Sequence, residues 1–224
     1  MVTYLNIIDK PDIKNPILIE GLPGIGNVGK VVVEYIIEKL GAKKFAELYS
    51  SHFPYHVFVS EDDTVSLPSN EFYYWKHKKR GQKDLILLTG DIQSITPEGH
   101  YEICSRILEF VSEFGTRNII TIGGFGLQKI PKEPKVIGAV TDKKLKTRLK
   151  KLGVEFSGGE RIGFIVGASG VLLGLGKLMN MNGFCLMGET ISTHPFFTDT
   201  KAAQAVLTVL NSYLKLEIDM QEIN

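Results

Sequence analysis

The sequence predicts an α/β fold, a three-layer α/β/α sandwich around a mostly parallel or mixed sheet. Three observations predict it. Short apolar runs of strand length, such as Ile17-Leu18-Ile19 and Leu85-Ile86-Leu87-Leu88, alternate with longer segments of helical period. Those runs are apolar throughout, as strands covered on both faces are. Finally, glycines and N-cap residues fall where strands should turn into helices. The 224 residues, 43% of them hydrophobic, fit a single α/β domain spanning 1–224, with a small antiparallel insertion near residues 55–80.

The elements follow in order. Ile17 to Glu20 is a strand, and Gly21 to Gly29 turns it into a helix. That helix carries Val28, Val31, Val32, Tyr35, Ile36 and Leu40 on one stripe and closes at Gly41. Phe45 to Tyr49 is a second strand. Tyr55 to Ser60 and Thr64 to Leu67 flank a turn at Glu61-Asp62-Asp63. Phe72 to Lys76 is an aromatic strand, whose alternation puts Phe72 and Tyr74 on one face and Tyr73 and Trp75 on the other. The basic run 76–81 is a solvated turn. After the strand Leu85 to Thr89, Thr96 as N-cap, Pro97 and Glu98 announce a helix with Cys104, Ile107, Leu108 and Val111 inward. Asn118 to Ile122 and Val136 to Val140 are strands, and Asp142 caps a lysine-rich helix. Gly163 to Val166 is a short strand leading through Gly167 to Gly170 into a helix. Phe184 to Met187 is a late strand, and Asp199 caps the last helix.

Composition excludes several function classes. With 26 basic and 25 acidic residues the net charge is +1, so no global field points to nucleic acid. No run of 18 apolar residues occurs, which predicts no membrane span. The segment Met1 to Asp9 lacks the features of a secretory leader, and a soluble cytoplasmic protein is expected. Cys104 and Cys185 are expected to be buried reduced thiols.

The candidate chemistry centres on residues 21–31. Gly24, Gly26 and Gly29 fit G-x-G-x-x-G, while Gly24, Gly29 and Lys30 fit most of a phosphate-binding loop. The dinucleotide reading requires an acid at the end of the second strand, where Tyr49-Ser50-Ser51-His52 stands. The phosphate-loop reading requires Ser or Thr after the lysine, where Val31 stands. The competing reading is a tight strand-to-helix turn that lets helix pack on sheet, with an anion site at the helix start left open. Gly167-Ala168-Ser169-Gly170-Val171 breaks the nucleophile-elbow pattern at its last position. His52 and His56 lack the carboxylate spacing of a zinc site, and neither a metal nor a cofactor is expected. Two aromatic groups are candidate interface anchors, with a local satellite core as the competing reading: Phe53, Tyr55, Tyr74 and Trp75, and then Phe196 and Phe197.

The order of these features resembles the family of proteasome assembly chaperones, in its archaeal branch. The resemblance runs over roughly residues 15–219. It rests on Glu20 to Gly29, Leu87-Leu88-Thr89-Gly90-Asp91, Thr121-Ile122-Gly123-Gly124, Val140-Thr141, Gly167 to Leu173, Glu189-Thr190 and Pro195. It implies a sandwich like that of purine nucleoside phosphorylases and does not imply their activity. It also implies a non-enzymatic, ATP-independent chaperone that forms homo-oligomers, tetramers or pentamers, and that binds α subunits of the 20S proteasome. Some relatives dock through a C-terminal hydrophobic–Tyr–any-residue tail. This chain ends Glu222-Ile223-Asn224 and lacks the tyrosine, so a surface-mediated mode or a paralogue with another role is the alternative. The other functional reading is a nucleotide- or phosphometabolite-binding enzyme or sensor using residues 24–30.

Overall fold

The computed structural model describes residues 3–77, 82–156, 163–192 and 197–220. The strands are β1 (Thr3–Ile7), β2 (Ile17–Glu20), β3 (Lys43–Ser50), β4 (Phe58–Val59), β5 (Val65–Ser66), β6 (Asn70–Trp75), β7 (Leu85–Gly90), β8 (Asn118–Leu127), β9 (Val136–Val140) and β10 (Asn182–Ile191). The helices are α1 (Val28–Leu40), α2 (Pro97–Ser112), α3 (Lys143–Lys150), α4 (Ala168–Leu178) and α5 (Thr200–Leu214).

Eight strands form one sheet in the order β1-β3-β6-β7-β2-β8-β10-β9, and β4 pairs only with β5. The centre is parallel, because β2 pairs in parallel with both β7 and β8, and β8 with β10. The flanks are antiparallel: β1 with β3, β3 with β6, β6 with β7, and β9 with β10. The sheet is therefore mixed. The parallel steps carry the crossover helices that such steps require.

Two cores result. On one face α2 and α4 bury Ile103, Cys104, Ile107 and Leu172 against Leu18, Phe45, Phe72 and Leu88. On the other, α1, α3 and α5 bury Val32, Ile36, Leu149, Val206 and Leu210 against Ile19, Leu87, Ile120 and Leu186. Strand residues one apart serve opposite cores, which is why the central runs are apolar at every position.

The aromatic strand follows the predicted alternation, with Phe72 and Tyr74 in the first core and Tyr73 and Trp75 in the second. Its place differs from the expectation. Phe72 to Trp75 belong to the main sheet between β3 and β7, so the antiparallel insertion shrinks to the hairpin of β4 and β5. Pairing on both edges, with a helical layer on each face, recruits this strand fully.

Other boundaries also differ. β1 was not foreseen, since Thr3-Tyr4-Leu5-Asn6-Ile7 shows no clear alternation and gains its strand form by pairing with β3. β8 continues through Gly123, Gly124 and Gly126 rather than ending before them, because its partner β10 runs alongside to Ile191. Residues 163–166 form no strand. Helix caps follow the sequence: Thr96 accepts from Gly99 N, Asp142 from Lys144 N and Asp199 from Ala202 N.

Candidate functional site

The carboxyl ends of β2, β7, β8 and β10 lie together, and the glycine turn leaves β2 at that end. Such ends are where open α/β sheets usually bind ligands. Here the protein's own side chains occupy the junction. Gln93, in the loop after β7, donates from Nε2 to the Pro23 carbonyl at 2.7 Å. Its Oε1 accepts from Ala168 N at 2.8 Å, at the start of α4. One amide thus joins the glycine turn to the helix across the first core.

Below it lies Glu20, with no exposed surface. Its Oε1 accepts from Leu22 N at 3.2 Å and its Oε2 from Ser169 Oγ at 3.0 Å. Ser169 Oγ also lies 3.3 Å from the Ile122 carbonyl. Burial disfavours the charged carboxylate and pushes the Glu20 pKa up to about 7, against the opposing pull of those two hydrogen bonds. Ser169 donates to this acid, and both side chains are buried from solvent. Cys104 and Cys185 are free and buried near the same carboxylate. Burial raises both thiols, Cys185 to about 12, so neither is poised as a thiolate.

The glycines of the turn are packing positions. A β-carbon on Gly29 would stand 2.4 Å from the Ile122 carbonyl oxygen, and one on Gly21 would stand 2.1 Å from the Gly29 carbonyl oxygen. Gly26 has φ +63°, and its face meets the side chain of Thr190. A short 3-10 turn, Ile25–Asn27, precedes α1, and Asp199 N donates to the Gly26 carbonyl at 2.9 Å. Thr190 Oγ1 in turn donates to Asp199 Oδ2 at 2.7 Å. The turn is clamped by β8, β10 and the start of α5.

Lys30 does not reach back over the turn. Its Nζ donates to the Gly90 carbonyl at 2.8 Å and pairs with Glu34 at 2.7 Å. It fastens α1 to the end of β7. Replacing Lys30 by alanine is expected to cost about 1 kcal/mol, the size of one partly exposed hydrogen bond and ion pair. Millimolar ATP or NAD is expected to leave the melting temperature of the wild type unmoved. A ligand-dependent rise that the lysine variant loses would restore the nucleotide reading.

The other predicted residues are scattered. Phe53 is buried in the first core, so it is no surface anchor in the chain as it stands. Tyr74 is half-buried edge-on to Phe45, and Trp75 is half-buried against the His77 ring. Tyr55 is fully exposed beside the hairpin, and Phe197 is half-buried. Phe196 and the tail 222–224 lie outside the described residues. Both His52 nitrogens are engaged, by Thr96 Oγ1 at 2.9 Å and Glu102 Oε2 at 3.3 Å, while the His56 ring lies on Phe58. Among the described residues no cluster of metal-ligating side chains occurs. Asp91, at the end of β7, accepts from Ser69 N at 3.0 Å and shapes the entry to β6.

Sequence reasoning missed Gln93. Its signal was a polar residue in the loop after a fully buried strand, which sequence alone does not distinguish from any solvated loop glutamine. Cavities lie elsewhere: one of about 560 Å³ at the amino ends of β2, β7 and β8, one of about 490 Å³ beside Lys143 and Lys177, and one of about 380 Å³ between β9 and α4. No helix among the described residues is long and apolar enough to cross a membrane.

Several known proteins are similar to this chain. A Methanocaldococcus jannaschii protein of uncharacterised function is 37% identical over 215 residues, covering 96% of this chain and 80% of its own. Pyrococcus furiosus PbaB, described as an archaeal proteasome activator, is 47% identical with a TM-score of 0.91, over 98% of this chain and 91% of that one. PbaA of the same organism, described as an archaeal homolog of proteasome-assembly chaperone, is 26% identical with a TM-score of 0.78, over 97% and 84%. The family model described as the PAC2 family matches residues 18–224, and the chain belongs to that family.

Proposed function

We propose that this chain is a cytoplasmic, homo-oligomeric proteasome factor that binds α subunits of the 20S particle and favours their assembled arrangement without ATP and without catalysing a reaction. The observation that carries this reading is the 47% identity to PbaB, spread over nearly the whole chain with the same fold. The junction at the strand ends supports it, because Gln93, bonded to Pro23 and Ala168, and Glu20, bonded to Ser169, fill the place where a ligand would be held. A factor of this kind acts by mass action: an interface of ~1,200–2,000 Å² lowers the free energy of one subunit arrangement relative to the others.

The test is capture of purified proteasome α subunits by the tagged full chain at low and moderate salt, with and without ATP. Capture that does not depend on ATP is expected, and recovery of nothing at either salt overturns the reading. The description of PbaB as an activator favours one refinement, binding to the finished particle as well as to free α subunits. Peptide hydrolysis by mature 20S particles should then rise when the chain is added.

A further inference from the structure

The hairpin of β4 and β5 stands apart from the eight-stranded sheet, and its apolar side chains face solvent. Tyr55, Val57, Phe58, Val59, Val65 and Leu67 are all exposed. A lone two-stranded hairpin is marginal in water, and a cluster of exposed apolar groups marks a contact surface. Its tip is Glu61-Asp62-Asp63, all exposed, and Asp62 fixes the turn by accepting from Ser60 Oγ and Thr64 Oγ1. The hairpin is thus an apolar finger with an acidic, preorganised end.

A surface of opposite character lies at the other side of the sheet. Between β9 and α4 a groove of about 380 Å³ is floored by Val140, Leu173 and Gly174, with Lys177 on its rim. Phe164 on its lining and Leu178 beside it are 82% and 80% exposed. At Gly174 the helix surface is open, with nothing within 4 Å of where a β-carbon would be. Lys177 also faces the adjoining cavity with Lys143, and both lysines are exposed. Asp142, the acid nearby, accepts from the backbone of Lys144 as a helix cap. Apolar floor and basic rim complement apolar finger and acidic tip in both hydrophobicity and charge.

One chain cannot join these two surfaces to each other. The hairpin springs from between β3 and β6, and the groove borders β9, five strand spacings away from β6. At ~4.8 Å per spacing that is about 24 Å across the sheet. We propose that the β4–β5 hairpin of one copy seats in the β9–α4 groove of the next, a head-to-tail contact that closes a ring of this chain. Two different patches meeting in this way generate a ring when the rotation closes. The inference rests on the homo-oligomeric part of the proposed function and is independent of proteasome binding.

The test uses the full chain and its mass in solution at micromolar concentration. Val59→Glu spoils the finger, and Phe164→Glu, on the lining of the groove, spoils the groove. Both positions are more than half exposed, so the fold is expected to persist, with Tyr55→Ser as a second finger variant. The wild type should be a multimer and each variant a monomer with an unchanged melting profile for its secondary structure. Mixing the two glutamate variants leaves one intact finger and one intact groove, so a heterodimer should form. A monomeric wild type, variants that keep the wild-type mass, or a mixture that stays monomeric would overturn the proposal. Variants that keep the mass but lose α-subunit capture would also overturn it, assigning the hairpin to the proteasome. Loss of mass with capture retained would support the ring contact and leave the function standing.

Discussion

Replacing Gly21 by alanine is expected to destabilise the protein by about 4 kcal/mol or more, while alanine at Gly24 should cost about 0.5 kcal/mol or less. The contrast is informative because Gly24 belongs to both nucleotide signatures and Gly21 to neither. At Gly21 the added methyl would stand 2.1 Å from the Gly29 carbonyl oxygen and 2.7 Å from a Val33 methyl. The first obstacle is helix backbone, which moves only if α1 lifts off the sheet and opens the packing of Val28, Val32 and Ile36. At Gly24 the nearest atom is 3.8 Å away and the backbone is extended at φ −166°, which any residue adopts. A phosphate-cradling turn would show the reverse order in ligand binding, with Gly24 the critical position. Urea denaturation of the two variants decides between them: equal losses at both positions would defeat the packing account.

How far the sequence carried this picture differs from element to element. The central strands and the helices were legible because each is written in local terms: an unbroken apolar run for β7, and Thr96-Pro97-Glu98 ahead of a periodic stripe for α2. The alternation in Phe72 to Trp75 gave the faces correctly but not the neighbours, since strand order depends on pairing at long range. The same holds for β1, whose partner Ser50 lies 47 residues from Thr3. At the strand-end junction, the glycine turn was legible as a turn. Its closure was not, because Gln93 reaches both Pro23 and Ala168, contacts 70 and 75 residues apart in sequence. The burial of Phe53 was hidden for a similar reason. Phe-Pro-Tyr reads as one aromatic unit, yet the fold sends Phe53 into the core and Tyr55 to solvent.

Replacing Glu20 by glutamine is expected to stabilise the protein at pH 8 by about 3 kcal/mol and to change little at pH 4. The carboxyl is fully buried, and among the described residues it accepts from one amide N–H and one hydroxyl. Burial raises its pKa from 4.5 to about 7. The folded state therefore holds a proton that the unfolded chain has released across that interval. Its favourable contribution is complete below pH 4.5, declines as pH rises to about 7, and is absent above. At ~1.36 kcal/mol per tenfold change in proton affinity, the full loss is about 3 kcal/mol. Glutamine keeps the shape and carries no charge. Its carbonyl can accept from Leu22 N, and its amide can donate to Ser169 Oγ, leaving the hydroxyl proton for the Ile122 carbonyl 3.3 Å away. Denaturant midpoints for wild type and variant, taken at intervals from pH 4 to pH 8.5, measure the effect directly. The two curves should run together in acid and separate through neutrality, with the glutamine variant the more stable. Parallel curves, or a variant that loses stability at pH 8, would mean that the buried carboxylate is compensated by more than Leu22 and Ser169. The same titration bears on the strand-end junction. Glu20 anchors the base of the glycine turn, and Gln93 holds its top to α4, so a charge forced into that position at high pH is expected to loosen the joint between the turn and α4.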